Sequence, residues 1–456
     1  MRRWGARAAA VALALGLVAS GQAGPAQAAP TRGWPVGPAT LGSLYGTADP
    51  GGMASVRTWG SAIWCYLQPT PETDVRAKLD ALVAPTLDAV AAAGGTAIVT
   101  IGHPAPWVFD NHPRAVAPTK LWACGDHASG VSIPSPASLK PNKDGTASVQ
   151  ARRWAEYVGT VVEWVKANYQ GRLQVVLEVW NEPNLSSGLN YKLRIPGAAR
   201  TMKQAVRALH TLESIAYDVI RAKGATGTVS LGSSALFTRP NKFSNLYLKY
   251  HNRKRRIEAI HVNVYGFKGS SANKMVADWD KRANSFRKRV RKYRKIRTLP
   301  IRVTEANLNL INRDGNATNL KASTANPDAQ RRLATATQMN AYYRGFSSVY
   351  WLVPWRPEQT AVYVQTQPGN PARDALAVLQ SALAGHTFVT CKQRKGLRTC
   401  TFKSPTGSRT KVLWRNKRTS KVRLSSRTEV LEMTGATTTL PRKARIKVGT
   451  TPIVLR

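Results

Sequence analysis

Residues 175–185 read Val175-Val176-Leu177-Glu178-Val179-Trp180-Asn181-Glu182-Pro183-Asn184-Leu185, and this stretch decides the fold. A run of β-branched and aliphatic residues, too short for a buried helix, reads as a strand covered on both faces. It stops at a carboxylic acid followed at once by proline, which cannot continue a central strand. In a parallel barrel the chemistry sits where strands end, so Glu182 is a candidate catalytic acid.

Seven further runs share this character. The eight predicted strands are Ala39–Tyr45, Ala54–Trp59, Thr96–His103, Leu173–Trp180, Thr228–Ser233, Ile257–Tyr265, Leu299–Glu305 and Ser348–Val353. Helical patterns lie between most of them, at Thr73–Ala93, Val149–Tyr169, Thr201–Lys223, Met275–Ile296 and Pro327–Arg344, and Pro371–Ala384 supplies a closing helix. Alternating units of this kind predict an α/β fold, a (β/α)₈ TIM barrel over residues 36–385. Past Gly385 the periodicity changes to short alternating runs separated by turn residues, with no helical period. Residues 386–456 therefore read as a small all-β sandwich.

A partner for Glu182 ends the seventh predicted strand: Leu299-Pro300-Ile301-Arg302-Val303-Thr304-Glu305. Glutamates closing strands four and seven face each other across a barrel mouth. At about 5 Å apart, such a pair performs retaining glycoside hydrolysis. Glu305 is then the ionised nucleophile. Glu182, desolvated beside that charge, keeps its proton and acts as general acid and then base. Glu178 reads as half of a structural ion pair.

On Trp180-Asn181-Glu182-Pro183 after strand four and a glutamate ending strand seven, the chain resembles a clan A retaining glycoside hydrolase, most of all families 39 and 5. The resemblance covers residues 40–385 and extends more loosely to Val412-Leu413-Trp414 and Val448–Val454, similar to an accessory β-sandwich found in that clan. It implies roles for further residues. Arg57 matches the arginine beside the nucleophile, His103 a histidine lining the site, and Asn181 the asparagine that bonds the sugar 2-hydroxyl. Tyr265 matches the tyrosine that bonds the nucleophile. Many relatives carry histidine where Asn263 stands, and His261 lies on the same face, so either can serve. One tryptophan of Tyr350-Trp351-Leu352-Val353-Pro354-Trp355 forms a floor for the sugar ring, Trp351 by pattern with Trp355 as the alternative. Trp59, Trp64, Trp107 and Trp122 line or pack near the mouth. Loops 104–148, 184–200 and 306–326 shape the subsites.

The chain has 456 residues and a formal charge of +43. Arg2, Arg3 and Arg7, an apolar stretch from Ala8 to Val18, and Ala26-Gln27-Ala28 read as a signal peptide over residues 1–28, by either the general or the twin-arginine route. The protein is expected to be secreted, extracellular or bound at the cell wall, and monomeric, with no membrane span. In an oxidising compartment four cysteines suggest two disulfides, Cys391–Cys400 across a hairpin and Cys65–Cys124 between long loops. No cofactor and no metal are expected. Carbohydrate is the expected substrate, and nucleic acid is not an expected partner. The dense basic runs at Arg253–Arg256 and over 281–297 are either a solvated face or a contact for an anionic glycan or the cell surface.

Overall fold

The computed structural model describes residues 40–42, 55–58, 62–108, 133–185, 198–238, 241–266, 271–308, 326–352, 369–416 and 419–456. The expected leader, Cys124, Trp59, Trp122, Trp355 and most of the three predicted subsite loops lie outside them.

Nine parallel strands form one sheet: β1 (Thr40–Gly42), β2 (Val56–Thr58), β3 (Thr96–Thr100), β4 (Gln174–Glu178), β5 (Val229–Gly232), β6 (Leu236–Phe237), β7 (Ile260–Gly266), β8 (Ile301–Leu308) and β9 (Ser348–Leu352). Their order is β5-β4-β3-β2-β1-β9-β8-β7-β6. All eight predicted strands are present, and β6 is a short continuation of the fifth. The sheet is strongly curved. Ile98 of β3, Val176 of β4 and Tyr350 of β9 form one buried cluster although four strand spacings separate β4 from β9, about 19 Å on a flat sheet. The strand β5, at one end of this order, also touches the segment that enters β7. Gly232 bridges Ala259 in parallel, Ser233 N–H donates to the Ala259 carbonyl at 2.9 Å, and Glu258 N–H donates to the Leu231 carbonyl at 2.8 Å.

Helices cover the outside because each buries one stripe against the strands. Helix Val149–Tyr169 begins at Ser148, whose hydroxyl accepts from Ala151 N–H, and buries Trp154, Tyr157, Val158, Val161, Val162 and Val165. Helix Pro327–Arg344 is capped by Asn326, opens with Pro327 and stops at Gly345, which takes a left-handed φ of 74°. The pattern over 73–93 divides into Val75–Leu82 and Ala84–Ala92, because Pro85 has no N–H to continue the first helix. Helix Lys242–Arg253, between β6 and β7, has no counterpart among the expected elements.

The C-terminal strands are antiparallel: β10 (Thr387–Arg394), β11 (Leu397–Lys403), β12 (Arg409–Arg415), β13 (Ser420–Arg423), β14 (Thr428–Glu432), β15 (Thr437–Leu440), β16 (Arg445–Val448) and β17 (Ile453–Leu455). Six form the sheet β10-β11-β12-β17-β14-β15, and β13 pairs with β16. Phe402, Val412, Trp414 and Val454 pack on Met339, Tyr342, Leu379 and Leu383 of the last two helices. Leu413, Val430 and Leu455 pack with Ile446 and Val448 of the smaller sheet. A buried polar tie crosses the same junction: Arg398 reaches Asp280 at 3.0 Å, and Arg344 meets Asp280 with two 2.7 Å bonds. Cys391 and Cys400 are opposed across the β10–β11 hairpin and disulfide-bonded, and Cys65 is also disulfide-bonded.

Candidate active site

Glu182 sits four residues past the end of β4 with φ of 46°, a left-handed conformation that a residue with a side chain adopts only under constraint. The constraint is visible. Glu182 N–H donates to the Ala235 carbonyl at 2.8 Å, and Ala235 N–H returns a 2.8 Å bond to Trp180. Asn184 then ties the turn to β6: its amide donates to the Phe237 carbonyl at 2.9 Å and accepts from Phe237 N–H at 2.9 Å. Beneath Ala235, the buried Glu213 accepts from Ser234 N–H at 3.0 Å, and from Tyr247 and His251. Neither Asn184 nor Glu213 stood out in the sequence, since each acts on a backbone about 20 to 55 residues away.

Glu305 lies on β8 and faces Glu182 through Asn263 of β7. Asn263 Nδ2 is 2.6 Å from Glu305 Oε2, 3.0 Å from Glu182 Oε1 and 3.1 Å from Asn181 Oδ1. One nitrogen contacting both carboxylates places those two oxygens no more than about 5.6 Å apart, less than the roughly 6.5–9.5 Å that separates the carboxyl groups of an inverting pair. Thr304 donates to Asn263 Oδ1 at 2.9 Å, which fixes the amide with its donors toward the acids. Tyr265 donates to Glu305 Oε1 at 2.6 Å.

Arg57 of β2 is 1 % exposed and joins the whole site. Its Nη1 is 3.6 Å from Glu305 Oε2, its Nη2 donates to Asn181 Oδ1 at 2.8 Å, and its Nε donates to Glu178 Oε1 at 3.1 Å. Glu178 also accepts from Thr100 at 2.9 Å and meets His261 Nδ1 at 2.8 Å. Burial opposes charge on Glu178, but Arg57 and His261 outweigh it and hold the carboxyl below the usual range. Asn263 and His261 thus divide the work between them. Asn263 touches both acids of the pair, and His261 holds the buried counter-ion of Arg57.

The pair's electrostatics are asymmetric. Burial, then the charge of Glu305, raises Glu182 to about 8. Burial also raises Glu305, against the opposing pull of Arg57 and the Tyr265 hydroxyl. With the cation and the phenol at Glu305, the shared proton belongs on Glu182.

Gly232 explains how His261 fits. A Cβ there would lie 2.1 Å from the His261 ring. Gly232→Ala should lower stability by about 1–3 kcal/mol through overpacking. Thermal unfolding measures it, and a midpoint equal to wild type would mean His261 does not occupy that space.

His103 follows β3 with φ of 65°, is 4 % exposed, and packs against Trp180 with ring centroids 4.6 Å apart and the planes tilted by 31°. Burial lowers its pKa to about 4. Trp351 is a correction. It is fully buried, its indole N–H donates to Gln338 of helix Pro327–Arg344 at 3.2 Å, and it pairs in register with Ala306, the neighbour of Glu305 on the opposite face. Tyr350, one residue earlier, occupies the interior, so alternation turns Trp351 toward the helices and it cannot be a sugar floor. Trp64 and Trp107 belong to an aromatic cluster with Trp154 and Tyr157. Among the described residues no group of three or more His, Cys, Asp or Glu is arranged to hold a metal ion, and no helix is long and apolar enough to cross a membrane.

Comparison with solved structures places this architecture. A family 39 glycoside hydrolase from Bacteroides cellulosilyticus WH2 is similar at TM-score 0.56 and 12 % identity, over 92 % of this chain and 80 % of that one. A family 44 xyloglucanase from Paenibacillus polymyxa with bound xyloglucan is similar at 0.54 and 12 %, over 92 % and 96 %. A family 44 endoglucanase from Clostridium thermocellum is similar at 0.53 and 12 %, over 93 % and 98 %. The chain has the fold of these clan A glycoside hydrolases. No family model and no curated protein matches its sequence. At these identities the likeness is one of fold, and the chemistry rests on the residues above.

Proposed function

We propose that the chain is a retaining glycoside hydrolase acting on a β-linked polysaccharide or oligosaccharide. In this reading the curved sheet closes as a (β/α)₈ barrel over residues 36–385, residues 386–456 are an accessory β module, and the leader and disulfides belong to an exported protein. The observation that carries the proposal is Asn263 Nδ2 in contact with both Glu182 and Glu305. So short a bound supports attack by a carboxylate rather than by a water held between the two acids.

Glu305, ionised beside Arg57, attacks the anomeric carbon while Glu182 gives its proton to the departing glycosidic oxygen. A glycosyl ester forms on Glu305. Glu182, now a carboxylate, takes a proton from water, which attacks the same carbon and releases the sugar with its configuration retained. Asn181 Oδ1 is engaged by Arg57 and Asn263, which leaves its Nδ2 as the donor for the sugar 2-hydroxyl. His103 lines the same mouth.

The pH profile tests the division of labour. A general acid works only while protonated, so the rate falls as pH rises through about 8. The nucleophile works only while ionised, so the rate also falls as pH drops through the raised pKa of Glu305. On an aryl glycoside with a good leaving group, Glu182→Gln should remove the alkaline limb from the first step. An unchanged alkaline limb would assign the acid elsewhere.

A further inference from the structure

The basic runs are not spread evenly over the fold. Ten of the seventeen residues 281–297 are Lys or Arg and none is Asp or Glu, and residues 249–256 add five cations and no acid. The two runs come from different helices, yet the fold brings them together. Lys295 N–H donates to Asn252 Oδ1 at 3.0 Å, Lys295 Nζ donates to the Arg253 carbonyl at 2.7 Å, and Tyr293 donates to the Asn245 carbonyl at 3.2 Å. His210 of a third helix contacts the Lys254 carbonyl at 3.0 Å. Arg253, Lys254, Arg255, Lys288, Arg291, Lys292, Arg294, Lys295 and Arg297 are exposed. Among the described residues, the acids paired with or beside these runs are Asp218 with Arg256, Glu258 with Arg221, Asp278 with Arg282 and, buried beneath the surface, Glu213 with His251.

The position is as informative as the charge. Each run spans the C-terminal turns of a helix, Lys242–Arg253 or Ala272–Val290, and the segment that leads into β7 or β8. They therefore lie at the N-terminal ends of the strands, on the face opposite the Glu182–Glu305 pair. Like charges gathered this densely repel one another, and Arg287 is drawn down to about 10 by burial and then by Arg291 and Arg344. A bound polyanion would relieve that repulsion.

We infer that the surface formed by residues 249–256 and 288–297 is a docking site for a polyanionic polysaccharide bearing carboxylate or sulfate groups, which tethers the protein with its cleft facing away. The choice of a glycan over a nucleic acid rests on the proposed glycosidase function; the surface itself does not. An extended row of cations suits an anion repeated along a polymer, and binding releases counter-ions, so affinity falls steeply with salt.

The test uses the full chain and heparin, a sulfated polysaccharide, with duplex DNA of equal total charge as competitor. The variant R291Q/K292Q/R294Q/R297Q removes four exposed cations from the patch. K411Q/K421Q/R423Q/K447Q removes four exposed cations from the C-terminal strands and matches the change in net charge. The patch variant should weaken heparin binding by about tenfold or more and flatten its salt dependence. The control variant should change affinity less than about threefold, and neither should alter turnover of a small aryl glycoside. Equal losses in the two variants would reduce the effect to net charge and overturn the site. Tighter binding of DNA than heparin would overturn the glycan assignment. Because binding is read without turnover, failure of the glycosidase reading would show separately, as an inactive protein that still binds through the patch.

Discussion

Glu305→Ala should abolish hydrolysis, with kcat/KM falling by about 10⁴-fold or more, because the proposed mechanism forms its covalent intermediate on that carboxylate. Sodium azide should then restore part of the rate by entering the vacated space, and the product should be the glycosyl azide of inverted configuration. Glu182→Ala should behave differently. Glycosides with poor leaving groups should lose about 10²–10⁴-fold, the usual contribution of general acid–base catalysis. Activated aryl glycosides should still react in the first step, and azide should yield the azide of retained configuration. Kinetics and product analysis on an aryl β-glycoside panel separate the two roles. Ordinary turnover in either variant on unactivated substrate would remove that glutamate from the chemistry.

Arg57→Met should be the most destabilising single change near the site. Glu178 is fully buried; the guanidinium of Arg57 is its cationic partner, and His261 Nδ1 lies 2.8 Å from its other oxygen. Removing the cation leaves a carboxylate in the interior, which costs about 3–5 kcal/mol. The double variant Arg57→Met/Glu178→Met should recover much of that loss, since neither charge then lacks its partner. Chemical denaturation of the four proteins gives the coupling directly. Additive effects, or a loss below about 1 kcal/mol for Arg57→Met, would contradict the buried pairing. Activity should not return with stability, because Glu305 would still lack the cation 3.6 Å from its carboxylate.

The barrel-like strands were legible because buried parallel strands leave dense aliphatic runs; Glu182 lies four residues past the end of β4, whereas Glu305 lies within β8, which runs on to Leu308. Tyr265 and Arg57 were legible through the clan resemblance, and both touch Glu305. Helix Lys242–Arg253 was not, since Phe243, Tyr247, Leu248 and His251 form its buried stripe within an otherwise polar and basic sequence. The strand β15 leaves equally little trace: Thr437–Leu440 is mostly threonine and carries no apolar alternation. The Glu178–His261 pair joins residues 83 apart, and no local pattern marks such a contact. Trp351 shows the limit of reading a motif without a face. Aromatic neighbours on a strand point to opposite sides, and only the packing of Tyr350 with Ile98 and Val176 tells which is which.

Retention of configuration is the central claim, and it is tested most directly by proton NMR of the first product released from a β-linked glycan by the wild-type protein. The anomer first released should be β, with the α anomer appearing later at the rate of spontaneous mutarotation. Initial release of the α anomer would contradict nucleophilic attack by Glu305 and the account built on it.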